Sequence, residues 1–522
     1  MTQAVKKQKL NKVEQAKAKK HPLLLKQELE HFAQIGWEAM DEFERDFGLK
    51  WLGFFHRPVT PGKFMMRMRI PNGILTSTQM RVLAEIVQRY CQGAGFQDQG
   101  NADITTRQNL QLRGIRIEDI ADIIKILAQA GLTCVQSGMD NVRNITGSPV
   151  AGIDANELID TRGLCRILQD AITNNGEGNL ELSDLPRKFN IAVAGGRDNS
   201  VHAEINDLGL LPAYKDGTLG FNIIVGGYFA PNQYVSAIPL DAWIPPEDVV
   251  ALTLAMMMVY RENGPRENRQ KCRMMHLINQ WGIEKFRAEV EQRFGKLLAT
   301  AAEKDEIDWE KRDHIGVYQQ KQTGLNYVGL HIPVGRLYAN EMFELARMAE
   351  VYGNGEIRLT VEQNLIIPHI PDTRLSAFLA EPLLKERFTI EPGTLNRGLV
   401  SCTGNEFCGF AIIETKNRAL AIVKELEQEL ILTQPVRIHW TGCPNSCGQP
   451  QVADIGFIGT KTRKDDRTVE AVDIWMGGKV GKDAHLGKEV MKRVACEDLK
   501  SVVRDLLVEH FGAKIKEETL VG

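Results

Sequence analysis

One stretch of this chain is written twice. Ile70-Pro71-x-Gly73-x-Leu75 followed by Met80-x-x-Leu83-Ala84 returns as Ile332-Pro333-x-Gly335-x-Leu337 followed by Met342-x-x-Leu345-Ala346, at one constant offset. Seven of the fifteen positions from Ile70 to Ala84 are identical. Further echoes follow in order. Gln363-Asn364-Leu365 answers Gln108-Asn109-Leu110, and Thr403-Gly404 answers Thr146-Gly147. Asp454-Ile455-Gly456 answers Asp207-Leu208-Gly209, and Gly477-Gly478 answers Gly226-Gly227. Chance supplies one such match but not the ordered set. The chain reads as a duplicated protein whose halves are related by a pseudo-two-fold.

Local patterns give the repeat a shape. Residues 64–70 alternate like a strand, Pro71-Asn72-Gly73 is a turn, and Thr76 or Ser77 caps a helix through Tyr90. Residues 103–113 read as a hairpin edge and 117–130 as a second helix. This β-α-β-β-α order predicts a small ferredoxin-like sandwich. Residues 21–47 place Leu23, Leu25, Leu29 and Phe32 at helical spacing, and 249–309 are mostly helical by period. The expected fold class is α+β, in three lobes.

The two halves differ where chemistry concentrates. The second carries Cys402 and Cys408, then Cys443 and Cys447, as C-x5-C and C-x3-C in Gly-rich turns. Four thiolates turned toward one centre suit either an iron–sulfur cube or tetrahedral zinc. The x5 loop argues mildly against zinc, and buried free cysteines are a third possibility. Cys91, Cys134, Cys165, Cys272 and Cys496 are scattered and read as small buried hydrophobes. The first half lacks clustered cysteines but has Arg67, Arg143 and Lys188, whose counterparts by sequence offset are Gly329, Val400 and Arg437. One half is thus expected to hold a metal centre and the other to face it with positive charge.

The motifs C-T-G-N-E-F-C, H-W-T-G-C-P-N-S-C and Asp454-Ile-Gly-Phe457 resemble the signature of the sirohaem nitrite and sulfite reductases. The resemblance runs from about Trp51 to the C-terminus, and is closest to the ferredoxin-dependent nitrite-reducing branch of cyanobacteria and chloroplasts. It implies that Cys402, Cys408, Cys443 and Cys447 hold a [4Fe–4S] cluster. Cys447 would also bridge to the iron of sirohaem. It implies ferredoxin-like half-domains and two sirohaem-binding domains, divided at 1–60, 61–130, 131–324, 325–392 and 393–522.

By the same resemblance, Arg67, Arg143 and Lys188 are the anion-binding cations of the catalytic pocket. Asn190 completes it, where sulfite reductases carry a second lysine in a K-x-K string. Phe55 stands where some sulfite reductases have a tyrosine. Arg107, Gln108, Asn109, Arg113 and Arg187 look like sirohaem contacts. Sirohaem carries eight carboxylates, so Arg269, Lys271 and Arg273 are expected to join them, arginine forks suiting carboxylates especially. The implied reaction takes nitrite and six electrons from reduced ferredoxin to ammonia. The nearest rival is ferredoxin-dependent sulfite reductase. A rival of another class is a non-catalytic metal-binding regulator.

Charge narrows the partners. A formal net charge of −3 gives no global attraction for nucleic acid, and the apolar run at 249–260 is too short to span a bilayer. Lys6, Lys7, Lys9, Lys12, Lys17, Lys19 and Lys20 face one acid, Glu14, and read as a solvated tail. Arg- and Ser-poor, this tail does not resemble a transit peptide, so a bacterial cytoplasmic protein is expected over one of the chloroplast stroma; a monomer is expected. Lys461, Arg463, Lys464 and Arg467 read as a basic loop that could receive an acidic electron donor.

Overall fold

The repeat at 70–84 and 332–346 folds as strand, turn and helix in a computed structural model that describes residues 10–91, 100–231, 233–302, 311–481 and 483–516. The two turns match in detail. Asn72 and Val334 both take left-handed backbone, φ 57° and 46°. Asparagine tolerates this, whereas a β-branched valine is strained there. The helices Ser77–Tyr90 and Ala339–Tyr352 start alike. Gln79 Oε1 accepts from the Thr76 amide at 3.1 Å, and Glu341 Oε2 from the Tyr338 amide at 2.8 Å.

The repeats then exchange a strand. Ile74–Thr76 leaves its own half and pairs antiparallel with Glu356–Leu359 of the second. Arg336–Tyr338 returns the favour by pairing with Asn101–Ile104 of the first. Each five-stranded sheet is therefore closed by the other half, and Asn101–Ile104 is internal rather than the edge expected from its hairpin. One apolar core runs through both, with Met66, Leu83 and Leu112 in the same cluster as Leu330, Leu345 and Ile367.

Two larger lobes each have their own core. Both are built on a five-stranded mixed sheet of the same topology. In the first, Thr146–Gly147, Ile191–Val193 and Leu208–Lys215 run parallel, then Thr218–Val225 and Ile238–Ile244 continue antiparallel. In the second the order is Leu399–Ser401, Ile438–Thr441, Ile455–Lys464, Arg467–Met476 and Lys488–Ala495. The helices Val249–Asn263, Met274–Trp281 and Ile283–Phe294 cover the first lobe.

Hydrogen bonds fix which residues are equivalent. Gln108 exchanges two bonds with the backbone of Gly147, at 2.8 and 3.0 Å, and Gln363 does the same with Ser401, at 3.0 and 2.8 Å. Gly147 therefore matches Ser401, so the Thr403-Gly404 echo lies three residues out of register. Counting from there, Arg143 matches Arg397 and not Val400. Asp207 Oδ2 accepts from the Asn190 amide and Asp454 Oδ2 from the Arg437 amide, both at 2.8 Å. Arg437 is thus the counterpart of Asn190, and Lys188 faces Pro435. The first error comes from taking Thr403-Gly404 as an anchor, whereas the Asp207–Asp454 anchor itself already places Pro435 opposite Lys188.

Two surface expectations also change. The supposed basic loop is a long hairpin: Lys461, Arg463 and Lys464 lie on Ile455–Lys464 and Arg467 on the next strand. Alternation with Thr460 and Thr462 is strand-like, and the turn is Asp465-Asp466. At the other end, Lys12–Lys19 is a helix capped by Asn11, and Lys17 is buried among carboxylates rather than solvated. Leu25, Leu29 and Phe32 are buried as expected. Lys6, Lys7 and Lys9 lie outside the described residues.

Candidate active site

The four clustered cysteines follow two adjacent parallel strands of the second lobe, one of them the edge strand of its sheet. Leu399–Ser401 leads into Cys402, whose amide donates to Trp440 O at 3.0 Å. Ile438–Thr441 leads into the turn of Cys443 and Cys447. The Ile412 amide bonds Gly442 O at 2.7 Å and ties the two turns together. The second turn is sharp: Ser446 and Gln449 are left-handed at φ 54° and 59°, and a side chain at Gly448 would strike Trp440 O.

None of these cysteines is in a disulfide, and Cys447 alone of the four is exposed. The Gly442 amide points at Cys402 Sγ at 3.1 Å and Asn445 Nδ2 at Cys443 Sγ at 3.3 Å. Burial pushes the Cys443 thiol up to about 12, with the nearby Cys447 and Cys402 adding to the rise. Burial, then Cys447, also raises Cys402. These sulfurs need a cationic centre to ionise together. Among the described residues no group of three or more His, Cys, Asp or Glu side chains is arranged to hold a single metal ion.

Across from Cys447 the first half presents cations. Arg67 ends the strand Phe64–Arg67. Arg143 and Lys188 lie on segments joined by the Arg143 amide to Phe189 O at 2.8 Å and the Phe189 amide to Asn141 O at 3.1 Å. Arg107 follows Thr106, whose hydroxyl donates to Cys447 O at 3.0 Å. Gln108 and Asn109 turn their amides onto the backbone of Gly147 and Met68, holding this loop in place.

What sets these cations apart is the lack of carboxylate partners. Arg67 reaches Ser137 O at 3.4 Å and stacks over Phe55 at 4.4 Å. Arg143 reaches Asn141 O at 3.2 Å, and Arg107 donates to Asn190 Oδ1 at 3.3 Å. Among the described residues Arg187 and Lys188 have no hydrogen bond or ion pair. Each keeps some accessible surface although burial lowers its pKa, as for groups lining an internal cavity. Burial brings Arg67 down to about 10, despite the opposing pull of Cys447. Burial and then Arg273, Arg107 and Arg187 push Lys188 well below its ordinary value. Arg143 falls likewise, through burial, Arg67, Arg107 and Arg187. Such a cluster calls for anions.

The other expected contacts are already engaged. Arg113 pairs with Asp103 at 2.7 Å and lies over Phe407. Arg269 grips Asp140 at 2.6 and 3.0 Å. Arg273 bonds Asp207 at 2.5 Å, but its buried Nη1 has no partner. Lys271 is exposed. Asn190 is 2% exposed, its side chain turned to Arg107. Sequence reasoning missed Thr106, which immediately precedes Arg107. It also missed Arg57, which lies over both Phe55 and Phe410 and near Cys408 and Cys447. No sequence signal marked Arg57.

The orphaned Nη1 of Arg273, the unpaired cations and the thiol quartet fit an anionic tetrapyrrole beside an iron–sulfur cluster. Comparison with known proteins agrees. Residues 138–298 and 393–511 match the model of the nitrite and sulphite reductase 4Fe-4S domain. Residues 56–130 and 318–384 match the nitrite/sulfite reductase ferredoxin-like half domain. The chain is 65% identical to a ferredoxin–nitrite reductase of Leptolyngbya laminosa, covering 97% of this chain and 98% of that one. It is 49% identical to the chloroplastic ferredoxin–nitrite reductase of Spinacia oleracea, covering 97% and 86%. The solved structure of the Mycobacterium tuberculosis NirA protein superposes with a TM-score of 0.87 at 29% identity, over 97% of this chain and 94% of that one.

Proposed function

The chain belongs to the nitrite and sulphite reductase family, and from that premise we propose how its residues carry the reaction. It is a ferredoxin–nitrite reductase, taking nitrite to ammonia with six electrons delivered singly by reduced ferredoxin. Its cofactors are a [4Fe–4S] cluster and sirohaem, which together supply one-electron transfer and an iron that binds nitrite.

Cys402, Cys408, Cys443 and Cys447 would hold the cluster, and Cys447, the exposed one, would serve sirohaem as well. Arg107 and Arg187, free of carboxylate partners, are the first choice for sirohaem carboxylates, with Arg273 through its free Nη1. Arg113 and Arg269 would have to share with Asp103 and Asp140. Gln108 and Asn109 act by shaping the loop, and Lys271 reaches only an outer carboxylate. Arg67 and Arg143 fix the nitrite anion and neutralise charge as electrons arrive. Lys188, whose ammonium burial and neighbouring cations make acidic, hands on protons as N–O bonds break. Asn190 leaves the pocket one cation short of the sulfite pattern.

The single observation that carries this is the unpaired cation cluster facing Cys447. The test is steady-state reduction of nitrite and sulfite side by side with reduced ferredoxin. Nitrite should be preferred, and the protein should show a red-end chlorin band. A preference for sulfite would move the chain to the other branch, and a colourless zinc protein would remove the chemistry altogether. The boundaries at 60, 130, 324 and 392, a monomeric state and a cytoplasmic location are our further reading, open to limited proteolysis, sedimentation and fractionation. No helix among the described residues is long and apolar enough to cross a membrane.

A further inference from the structure

The helix Lys12–Lys19 docks on the segments that carry the pocket cations. Lys17 is 3% exposed on its side chain and pairs with Glu14 at 2.5 Å, Asp184 at 2.8 Å and Asp140 at 3.4 Å. It also donates to Leu185 O at 3.2 Å. Arg266 joins Glu14 at 2.6 Å and Asp184 at 3.3 Å, and Arg269 closes on Asp140. Asn11 fastens the start of the helix to Arg266 O through side chain and backbone, at 2.6 and 3.2 Å. Three cations meet three carboxylates, so this network is neutral within itself. It is not an anion site, unlike the cluster beside it.

Its placement gives it a second role. Asp140 stands three residues before Arg143, and Asp184 four before Lys188. The two segments are zipped by backbone bonds, from the Leu185 amide to Asp140 O at 3.2 Å, then Phe189 to Asn141 O and Arg143 to Phe189 O. Lys17 holds both strands of this zipper at its outer end, through Asp140 on one side and Asp184 and Leu185 O on the other. We propose that Lys17 is a positioning residue for nitrite binding, setting through Asp140 and Asp184 the spacing of Arg143 and Lys188. The proposal rests on the assignment of those two cations to nitrite.

Removing the Lys17 ammonium would leave three carboxylates, two of them buried, to two arginines and open the end of the zipper. Small displacements of anion-binding groups act strongly on affinity. In the holoenzyme, Lys17→Met should raise the nitrite KM by about tenfold and weaken nitrite binding in a spectral titration equally. The kcat with a small artificial reductant should change by less than about threefold, at equal iron and sirohaem content. Lys17→Arg should restore most of the loss. Should Lys17→Met fail to fold, Glu14→Gln removes one charge and should raise KM by about threefold. An unchanged KM in the folded variants overturns the proposal. So does activity that falls only in step with cofactor content. A parent enzyme that does not reduce nitrite is a different result, and sinks the functional assignment itself.

Discussion

The two halves differ in how the cations at their facing surfaces are balanced, and only Arg143 has a cationic counterpart, Arg397. In the first, Arg67, Arg107, Arg143, Arg187 and Lys188 face the site without carboxylates. In the second, residues 311–314 fold into the corresponding region and every cation is answered. Lys311 pairs with Glu362 at 2.8 Å, Arg312 with Asp154, and Arg397 with Asp313 at 2.5 Å. Glu362 is the counterpart of Arg107, and Arg397 of Arg143. Even the bridging turn has its twin. Asn199 and His202 are left-handed like Ser446 and Gln449, and Ser200 falls where Cys447 does. A duplicated scaffold thus supplies one face left electrostatically open for ligands and one closed by its own chain. The closed face stabilises, and the open one is held ready at a cost in stability.

The largest test makes the turns alike. Cys447→Ser gives the second half the residue of the first, and should abolish the sirohaem linkage and the normal cluster, since the proposed assignment has one thiolate serve both. Iron content and the visible spectrum check it. A wild-type spectrum would mean that the exposed thiol is not the bridge.

Next come paired substitutions with opposite signs. Lys188→Met should lower kcat/KM for nitrite by about 10²–10³-fold. The cofactor-free protein should gain about 1–2 kcal/mol, since an unpaired cation leaves a crowded site. Asp154→Asn, on the closed face, should leave nitrite kinetics alone and cost about 1–3 kcal/mol by orphaning Arg312. Denaturant midpoints and steady-state rates decide both. Equal signs would mean that the faces do not differ in charge balance.

A smaller effect concerns Asn190, whose counterpart Arg437 is a cation bonded to Asp454 at 2.7 Å. The first half keeps Asp207 at that place but gives it to Arg273. Asn190→Lys adds a cation beside Arg107, and should favour the sulfite dianion over nitrite. We expect the ratio of kcat/KM values to move by about tenfold toward sulfite. A ratio that stays put would place discrimination elsewhere.

Much of this contrast was legible beforehand, and what was not has physical reasons. The cysteine spacing and the cation motifs are local, so the strings alone suffice to propose both sides of the site. The duplication shows because packing preserves Ile70, Leu75, Met80 and Leu83 in both copies. The strand exchange leaves no local trace, since Ile74–Thr76 reads as a strand whichever sheet receives it. Lys17 and Lys461 illustrate the limit of charge runs. A lysine's burial depends on whether carboxylates from residues 140 and 184 reach it, and the sequence does not bring those together. Lys464 likewise pairs with Asp498 at 2.6 Å, which weakens its claim as a donor contact.

The smallest expected effect sharpens the comparison through pH. His439 occupies the position of Ala192, and His331 that of Arg69. Burial is the main cause that brings His439 down to about 3, with Arg437 next, and His331 down to about 4. His439 is neutral and donates Nδ1–H to Gln449 O at 3.1 Å, while His331 Nε2 has no partner. A histidine in the unfolded chain titrates at about 6.5. Below that value the unfolded state binds protons that the folded state refuses, so stability falls as pH drops from about 6.5 toward 3–4. Above 6.5 neither form is charged and there is no penalty. Each such histidine contributes a slope of about 1.4 kcal/mol per pH unit. First-half His202 is also depressed by burial, so the halves are separated by substitution rather than by comparing them directly. His439→Ala, which installs the first-half residue, should lose some stability at pH 7 through the cavity it leaves. It should flatten the slope between pH 6 and 5 by about 1 kcal/mol per unit. Denaturant titrations at several pH values measure this, with the cofactor-free protein as a control for proton uptake by the ligands. A slope identical to the parent's would mean that His439 is protonated in the fold, and that the second half owes its acid sensitivity to another group.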